Sequence, residues 1–376
     1  MSRWARAEVD LDAIGHNVGV LRRAADPAGV WAVVKANGYG HGAVPVARAA
    51  IAAGAEGLCV ALVEEGVVLR EAGIDAPVLV LTEQPPDTID DLVAHHLIAT
   101  VYSERYADEL AARAIEPVPV HVKVDTGMQR VGADPAHAVG LVEHVRSLAP
   151  RLRLDGLFTH LACADEPERA ANADQLDRLD RVLAELGQAA PTVVHAANSA
   201  GALALPRARR SFVRCGIAVY GISPGPGVDH LTAELRPAMR LVARVAHVKR
   251  VVAGSHVSYG WRHRFDTDTT VATVPIGYAD GVPRRLGTLP DRPGADVLVG
   301  GRRHPIVGVV TMDQLVVDVG DAPVAVGDEV VLIGGQSGDR IRAEEWAERL
   351  GTIGYEIVCG IGARVPRVST GAVDPP

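Results

Sequence analysis

The sequence predicts an α/β protein of two domains: a (β/α)8 barrel over residues 1–235, then a mainly β domain over residues 236–376. Three observations carry that reading. Short apolar runs alternate with amphipathic stretches over the first 221 residues, the order expected of parallel strands joined by helices. Polar and charged residues gather just past the C-terminal ends of those runs, where barrel proteins carry their chemistry. After Tyr220 the texture changes, and from about Met239 onward the apolar period is two, the mark of half-buried strands.

Eight runs qualify as barrel strands: 31–34, 57–61, 78–82, 98–101, 118–124, 154–159, 193–195 and 216–220. Helical spacing fills most of the intervals, as in 43–53, 103–114, 135–148 and 166–186. A doubly wound open sheet is the competitor, but the first strand lacks the Gly-rich dinucleotide turn usual there. Runs apolar throughout suit strands covered on both faces in a closed TIM-type barrel. Lys35 follows the first strand, Lys123 and Asp125 close the fifth, and His160 closes the sixth. Asn198 and Ser199 follow the seventh, and Arg214 introduces the eighth. The Gly/Pro/Ser stretch from Gly221 to Pro226 reads as the start of a linker. Strands are then expected within 241–252, 269–276, 296–299, 305–319 and 329–333, with one substantial helix at 343–350. Gly334-Gly335-Gln336-Ser337-Gly338 reads as a hairpin turn, and Asp374-Pro375-Pro376 as a frayed tail.

A formal charge of −8 argues against nucleic acid as partner, because phosphate binding calls for a basic patch. The four cysteines, Cys59, Cys163, Cys215 and Cys359, are far apart, which suits reduced cytosolic thiols better than a zinc site or a disulfide framework. The N-terminus shows no apolar signal segment, and no apolar stretch is long enough to span a bilayer. The expectation is a cytoplasmic enzyme without a metal or a membrane partner.

Only three of the 38 basic residues are lysines: Lys35, Lys123 and Lys249. Arginine serves most surface positions, but its guanidinium stays protonated and cannot form an imine. Lys35 ends the apolar run Val30-Trp31-Ala32-Val33-Val34 and opens a glycine-punctuated, flexible-looking loop. A lone amine so delivered suits a site that needs a base or nucleophile; a chance lysine in an arginine-rich composition is the plain alternative.

The segment Val34-Lys35-Ala36-Asn37-Gly38-Tyr39-Gly40-His41-Gly42 resembles the cofactor-lysine signature of the alanine racemases. Further landmarks follow in order: Lys123-Val124-Asp125-Thr126-Gly127-Met128-Gln129-Arg130, Phe158-Thr159-His160, Ala197-Asn198-Ser199-Ala200-Gly201, Arg214-Cys215-Gly216-Ile217, Val257-Ser258-Tyr259-Gly260, Gly277-Tyr278-Ala279-Asp280-Gly281, Met312-Asp313-Gln314 and Tyr355-Glu356-Ile357. The resemblance implies pyridoxal 5′-phosphate as cofactor, bound through the Lys35 amine. It makes Lys35 and Tyr259 the two bases, with Tyr259 supplied by a second copy in a head-to-tail homodimer. Tyr39, Asn198, Ser199, Gly216 and Ile217 would form the phosphate cup, with Tyr355 reaching the same group. Arg214 would face the pyridine nitrogen, and His160 would link it to Tyr259. Arg130, Met312 and Asp313 would serve the substrate carboxylate and its loop. Tyr278 and Tyr355 would narrow the entrance. Lys123 would be carbamylated, so that its anion holds Arg130. Gln129 stands where the family often has Gly, and Gly354 where some relatives have Asn.

The function so implied is interconversion of L- and D-alanine, supplying D-alanine for peptidoglycan. Three rivals remain open: a broad-specificity or serine racemase on the same scaffold, a non-catalytic cofactor-binding barrel, and a barrel decarboxylase. The second normally lacks a β domain. The third would place a carboxylate at the pyridine nitrogen.

Overall fold

A computed structural model of the chain describes residues 4–371; Met1–Arg3 and the Asp374–Pro376 tail expected to fray lie outside the described residues. The described residues divide into two compact units, one of Asp12–Arg236 and one that joins residues 4–11 to residues 237–371.

The first unit is a closed barrel. Strand β1 (Arg6–Asp10) does not belong to it, and the barrel strands run from β2 to β9: β2 (Gly29–Val33), β3 (Gly57–Val60), β4 (Val78–Val80), β5 (Ala99–Val101), β6 (Val118–Lys123), β7 (Leu152–Phe158), β8 (Val193–His195) and β9 (Phe212–Cys215). All pair in parallel, in the runs β4-β3-β2-β9 and β5-β6-β7-β8. A bridge between Leu79 and Ile98 joins β4 to β5. On the other side Ser211 donates to the Val194 carbonyl and Arg214 to the Ala197 carbonyl, which closes the ring. Strands β3, β4 and β5 are buried at every position, as expected where helices cover a parallel sheet. The helices lie close to their expected spans, for example Ala43–Ala52, Glu104–Arg113, Pro135–Ser147 and Ala170–Leu186.

The eighth strand is displaced from the expected 216–220. Gly216 turns the chain out of the sheet, and Ile217–Tyr220 is a 3-10 turn closed by the Val219 N–H on the Gly216 carbonyl. The strand itself is Phe212–Cys215, paired with residues 29–32 of β2. Arg214 lies inside it rather than before it. A charge in the middle of an apolar segment hid the strand, and it is tolerated there because both of its terminal Nη groups find acceptors, as described below.

In the second unit, β10 (Met239–Arg244), β11 (His247–Val251), β12 (His256–Val257), β13 (His263–Arg264), β14 (Thr269–Val274), β15 (Asp296–Val299), β16 (Arg302–Val307), β17 (Leu315–Gly320), β18 (Glu329–Gln336), β19 (Asp339–Ile341) and β20 (Arg367–Thr370) follow in chain order. The main sheet runs β11-β14-β17-β16-β15-β18-β10-β1-β20. Here β1 pairs antiparallel with β10 and parallel with β20. The residues up to Leu11, expected with the barrel, therefore belong to the β unit. Segments 241–252 and 305–319 each divide into two strands. The Gly334–Gly338 stretch is a β18–β19 hairpin that turns at Ser337 and Gly338, both at positive φ. Helix Ala343–Leu350 buries Trp346 completely, and a second short helix, Gly354–Cys359, was not expected. Among the described residues no helix is long and apolar enough to cross a membrane.

Candidate active site

The barrel's polar groups converge at the C-terminal ends of β2, β6, β7 and β9. Lys35 directly follows Val34, at the start of a turn that is not flexible in the way the glycines suggested. Ala36, Asn37, Gly38 and Tyr39 all take left-handed backbone angles, with φ of 52°, 51°, 62° and 50°. Each non-glycine residue in that region costs roughly 1–2 kcal/mol. The neighbours over-determine the turn. Gly38 N–H bonds the Val34 carbonyl at 2.8 Å and Gly42 N–H the Asn37 carbonyl at 2.8 Å. Asn37 Oδ1 accepts from Ala43 N–H at 2.9 Å, and Glu65 accepts from Ala36 N–H at 2.6 Å. Tyr39 is buried against Tyr220, whose hydroxyl donates to the Val33 carbonyl. Strain of this kind, concentrated beside a lone lysine, marks a functional position.

Lys123 is 5% exposed. Burial first, then the nearby Arg214 and Arg130, push its amine down to about 7, so the neutral and charged forms coexist at physiological pH. Its Nζ lies 5.3 Å from the Phe158 ring centre, and Arg214 Cζ lies 5.1 Å from the same ring. Lys123, Arg130, Thr159 and His160 line one small pocket. The Arg130 loop is tied down by Asp125, whose carboxylate accepts from the N–H groups of Gly127, Gln129 and Arg130 at 2.9, 3.0 and 3.1 Å. Burial opposes ionisation of Asp125, but these bonds outweigh it and hold the carboxyl below its ordinary range. Gln129 takes φ 55° in this loop, a backbone angle that glycine adopts without steric cost.

Arg214 is 3% exposed. Its Nη2 donates to the carbonyls of Thr159 at 2.8 Å and Ala196 at 3.0 Å, and lies 3.3 Å from His160 Nδ1. Its Nη1 lies 2.6 Å from His195 Nδ1. Desolvation lowers the guanidinium to about 10, which leaves it charged. Burial, then Arg214 and Lys123, hold His160 well below the ordinary imidazole range. Among the described residues, Lys35, Lys123, Arg130 and Arg214 form no ion pair with any carboxylate. Converging cations without counter-charges make an anion site.

Asn198 caps the turn Ser199–Ala204 through Gly201 N–H at 3.0 Å. Ser199 Oγ accepts from Gly216 N–H at 2.9 Å, while the buried Ile217 N–H has no partner among the described residues. A Cβ on Gly216 would lie 2.4 Å from the Tyr39 hydroxyl, so Tyr39 reaches the cup only because this residue is glycine. Gln175, which the motifs did not flag, holds the rim by donating to the His160 carbonyl and accepting from Ala162 N–H. These groups fit a pyridoxal phosphate: an amine, a cup with an unpaired N–H, and a guanidinium whose Nε is left without a partner among the described residues.

The remaining expected residues lie in the β unit. Tyr259 follows Ser258, whose hydroxyl donates to the Val309 carbonyl at 2.6 Å. Tyr278 N–H donates to Thr311 and Ala279 N–H to Met312, which ties the two loops together. Gly277 permits this approach, since a Cβ there would lie 2.3 Å from the Thr311 carbonyl oxygen. Asp313 pairs with Arg364 at 2.7 Å, and Tyr355 sits in helix Gly354–Cys359.

A barrel with a strand-end lysine and a buried guanidinium, followed by a β domain, defines the class: a cofactor-dependent amino-acid isomerase of the barrel-plus-β-domain type. Residues 9–224 match the alanine racemase N-terminal domain and residues 238–369 the alanine racemase C-terminal domain. An alanine racemase of Symbiobacterium thermophilum is 48% identical over 96% of both chains, and one of Thermobifida fusca is 45% identical over 99% of this chain and all of its own. The crystal structure of alanine racemase from D-cycloserine-producing Streptomyces lavendulae superposes with a TM-score of 0.92 at 39% identity, covering 99% of this chain and 98% of its own. That from Bacillus anthracis with bound L-Ala-P gives 0.91 at 40% identity, covering 99% and 96%. The chain belongs to the alanine racemase family, whose members are pyridoxal-phosphate-dependent isomerases that interconvert L- and D-alanine.

Proposed function

We propose that Lys35 and Tyr259, lent by a second copy of the chain, are the opposed bases with which this enzyme interconverts L- and D-alanine. The observation that carries the reading is the set of cations near Lys35, namely Lys123, Arg130 and Arg214, that have no carboxylate ion pair among the described residues; Arg214 is read as the partner of the ring nitrogen. When bound, pyridoxal phosphate supplies an electron sink that acidifies the amino acid's Cα–H. Lys35 anchors it, and its amine takes or returns the proton on one face of Cα. Tyr259 serves the other face, its phenol assisted by His160, whose Nδ1 is turned to Arg214 and whose Nε2 is left to bond the phenol. Arg214, already protonated and capable only of donating, keeps the ring nitrogen unprotonated and limits charge spread into the ring. That confines the outcome to proton exchange and argues against the decarboxylase. Arg130 and the Met312–Asp313 loop hold the substrate carboxylate. Tyr39, Asn198, Ser199, Gly216, Ile217 and Tyr355 hold the phosphate. Tyr278 and Tyr355 narrow the entrance.

The head-to-tail homodimer is supported by exposure. Tyr259 and Trp261 are each 72% exposed and Met312 52%, and exposed aromatics of this size mark a surface that another chain covers. A phenol that open to water is a poor general base until it is covered. The four free cysteines suit a reducing cytoplasm, and D-alanine for peptidoglycan is the product's proposed use.

Subunit mixing tests the shared site. Lys35→Ala and Tyr259→Phe are each inactive alone. Mixed and re-equilibrated, half of the dimers are mixed and each carries one intact site, so about a quarter of wild-type activity returns. No recovery in a sample shown to contain mixed dimers refutes the shared site. Assay with alanine, serine and lysine separates an alanine racemase from a broad-specificity or serine racemase.

A further inference from the structure

Two histidines behind Arg214 have no part in the mechanism above. Arg214 Nη1 lies 2.6 Å from His195 Nδ1, and His195 Nε2 lies 2.9 Å from His121 Nδ1. A guanidinium can only donate. His195 Nδ1 therefore accepts, which puts that ring's proton on Nε2. The Nε2–H then donates to His121 Nδ1, which puts the His121 proton on its own Nε2. One donor thus dictates both tautomers.

The packing holds this arrangement in place. The His195 ring is stacked between Phe158 and Phe212, with centroids 4.5 and 4.3 Å away and planes inclined by 9° and 22°. His121 lies over the backbone of Gly156, where a Cβ would come within 2.8 Å of the imidazole. The two rings are 0% and 3% exposed. The charged groups acting on them are Arg214, Lys123 and Asp155. Burial, with Arg214 adding to it and Asp155 opposing, pushes His121 down to about 4. Burial, then Arg214, holds His195 well below the ordinary range. His121 also lines a cavity of about 890 Å³ with Trp31, Asp155 and Phe212, at the N-terminal ends of the strands and so at the far end of the barrel from Lys35. Its Nε2 has no partner among the described residues.

We propose that His195 and His121 form a one-directional chain of neutral hydrogen bonds that positions Arg214 from behind and ends at the far cavity. The proposal rests on the reading of Arg214 as the ring's partner. A carboxylate in place of His195 would orient the guanidinium equally well but would cancel its charge. A neutral imidazole fixes the direction of Nη1 and leaves the cation whole, with Nε–H free for the cofactor ring. His195 acts through Arg214, and His121 acts by holding the His195 tautomer.

Nitrogen-15 NMR of histidine side chains in the holoenzyme tests the chain directly. Two rings, assigned by their loss in His195→Asn and His121→Asn, should be neutral and Nε2-protonated, without titrating between about pH 5.5 and 8.5, where an ordinary imidazole changes charge. An Nδ1–H in either ring, or titration in that window, overturns the proposal. The positioning role is read from three substitutions, each first shown to melt cooperatively. His195→Leu removes the acceptor and should lower kcat by about tenfold to a hundredfold, the scale of a small misplacement at the reacting centre, with KM less affected. His195→Asn restores an acceptor at the Nδ1 position and should recover most of that loss. His195→Asp supplies a counter-charge and should shift the pH dependence of the bound cofactor's absorbance, which His195→Asn leaves in place. If Arg214→Gln alters that absorbance while all three His195 variants match wild type, this inference fails alone. If Arg214→Gln leaves it unchanged, the reading of Arg214 fails and takes this inference with it.

Discussion

Lys123 offers a prediction whose size follows from its surroundings. An ordinary exposed lysine with an amine near 10.5 is neutral in roughly one molecule in 3,000 at pH 7, whereas an amine near 7 is neutral in about half. Only the neutral amine attacks carbon dioxide. The nitrogen bonds to carbon and releases a proton, and the product is an anionic carbamate. Lys123 is therefore enriched over an ordinary exposed lysine by about a thousandfold as carbon dioxide nucleophile at pH 7. The carbamate would also replace like-charge repulsion with Arg130 by attraction. Below about pH 7 formation releases two protons rather than one, so occupancy at fixed dissolved carbon dioxide falls by up to about a hundredfold per pH unit. The sign for stability of the unmodified protein runs the same way. The folded amine is depressed below its unfolded value, so the unfolded chain binds more protons between about 7 and 10.5, and stability rises with pH across that window. The assay is carbon-13 NMR with labelled bicarbonate at pH 8, with native mass as a second readout. One carbamate signal that vanishes in Lys123→Ala is expected. No signal, or equal labelling of Lys249, refutes the argument.

Other outcomes follow from single contacts. Lys35→Ala should abolish both directions of racemisation and the visible absorbance of the bound cofactor; retained absorbance at wild-type intensity contradicts the anchoring role. Gln129→Gly relieves a left-handed φ and should alter stability by no more than about 1 kcal/mol in either direction, since the relief is offset by a freer unfolded chain; a larger loss in a denaturant titration would show that the Gln129 side chain holds the loop. Trp346→Ala empties a fully buried site in the β unit and should cost about 3–5 kcal/mol in denaturant unfolding; a loss under about 1 kcal/mol would contradict that burial.

Much of the barrel was legible because its signals are local. Seven of the eight strands show as apolar runs close to their observed spans, and period-two alternation announced the β unit. The motif residues Lys35, Lys123, Arg130, His160, Ser199 and Arg214 lie in or after the C-terminal parts of five barrel strands, β2, β6, β7, β8 and β9, the end where alternation of strand and helix alone would gather them.

What the sequence determined by itself was the chemistry delivered to one end of a barrel and the family that delivers it. Tertiary structure alone decided the rest. No strand was expected before residue 31, and it is pairing with β10 and β20, more than two hundred residues away, that makes β1 a strand and assigns it to the β unit. Arg214 concealed its own strand because its acceptors, in Thr159, Ala196 and His195, come from other parts of the chain. The His121–His195 bond spans 74 positions, and its proton direction depends on a third residue. Periodicity records which face of an element is buried; which groups meet across the interior is set by closure of the sheet, and no local pattern encodes it.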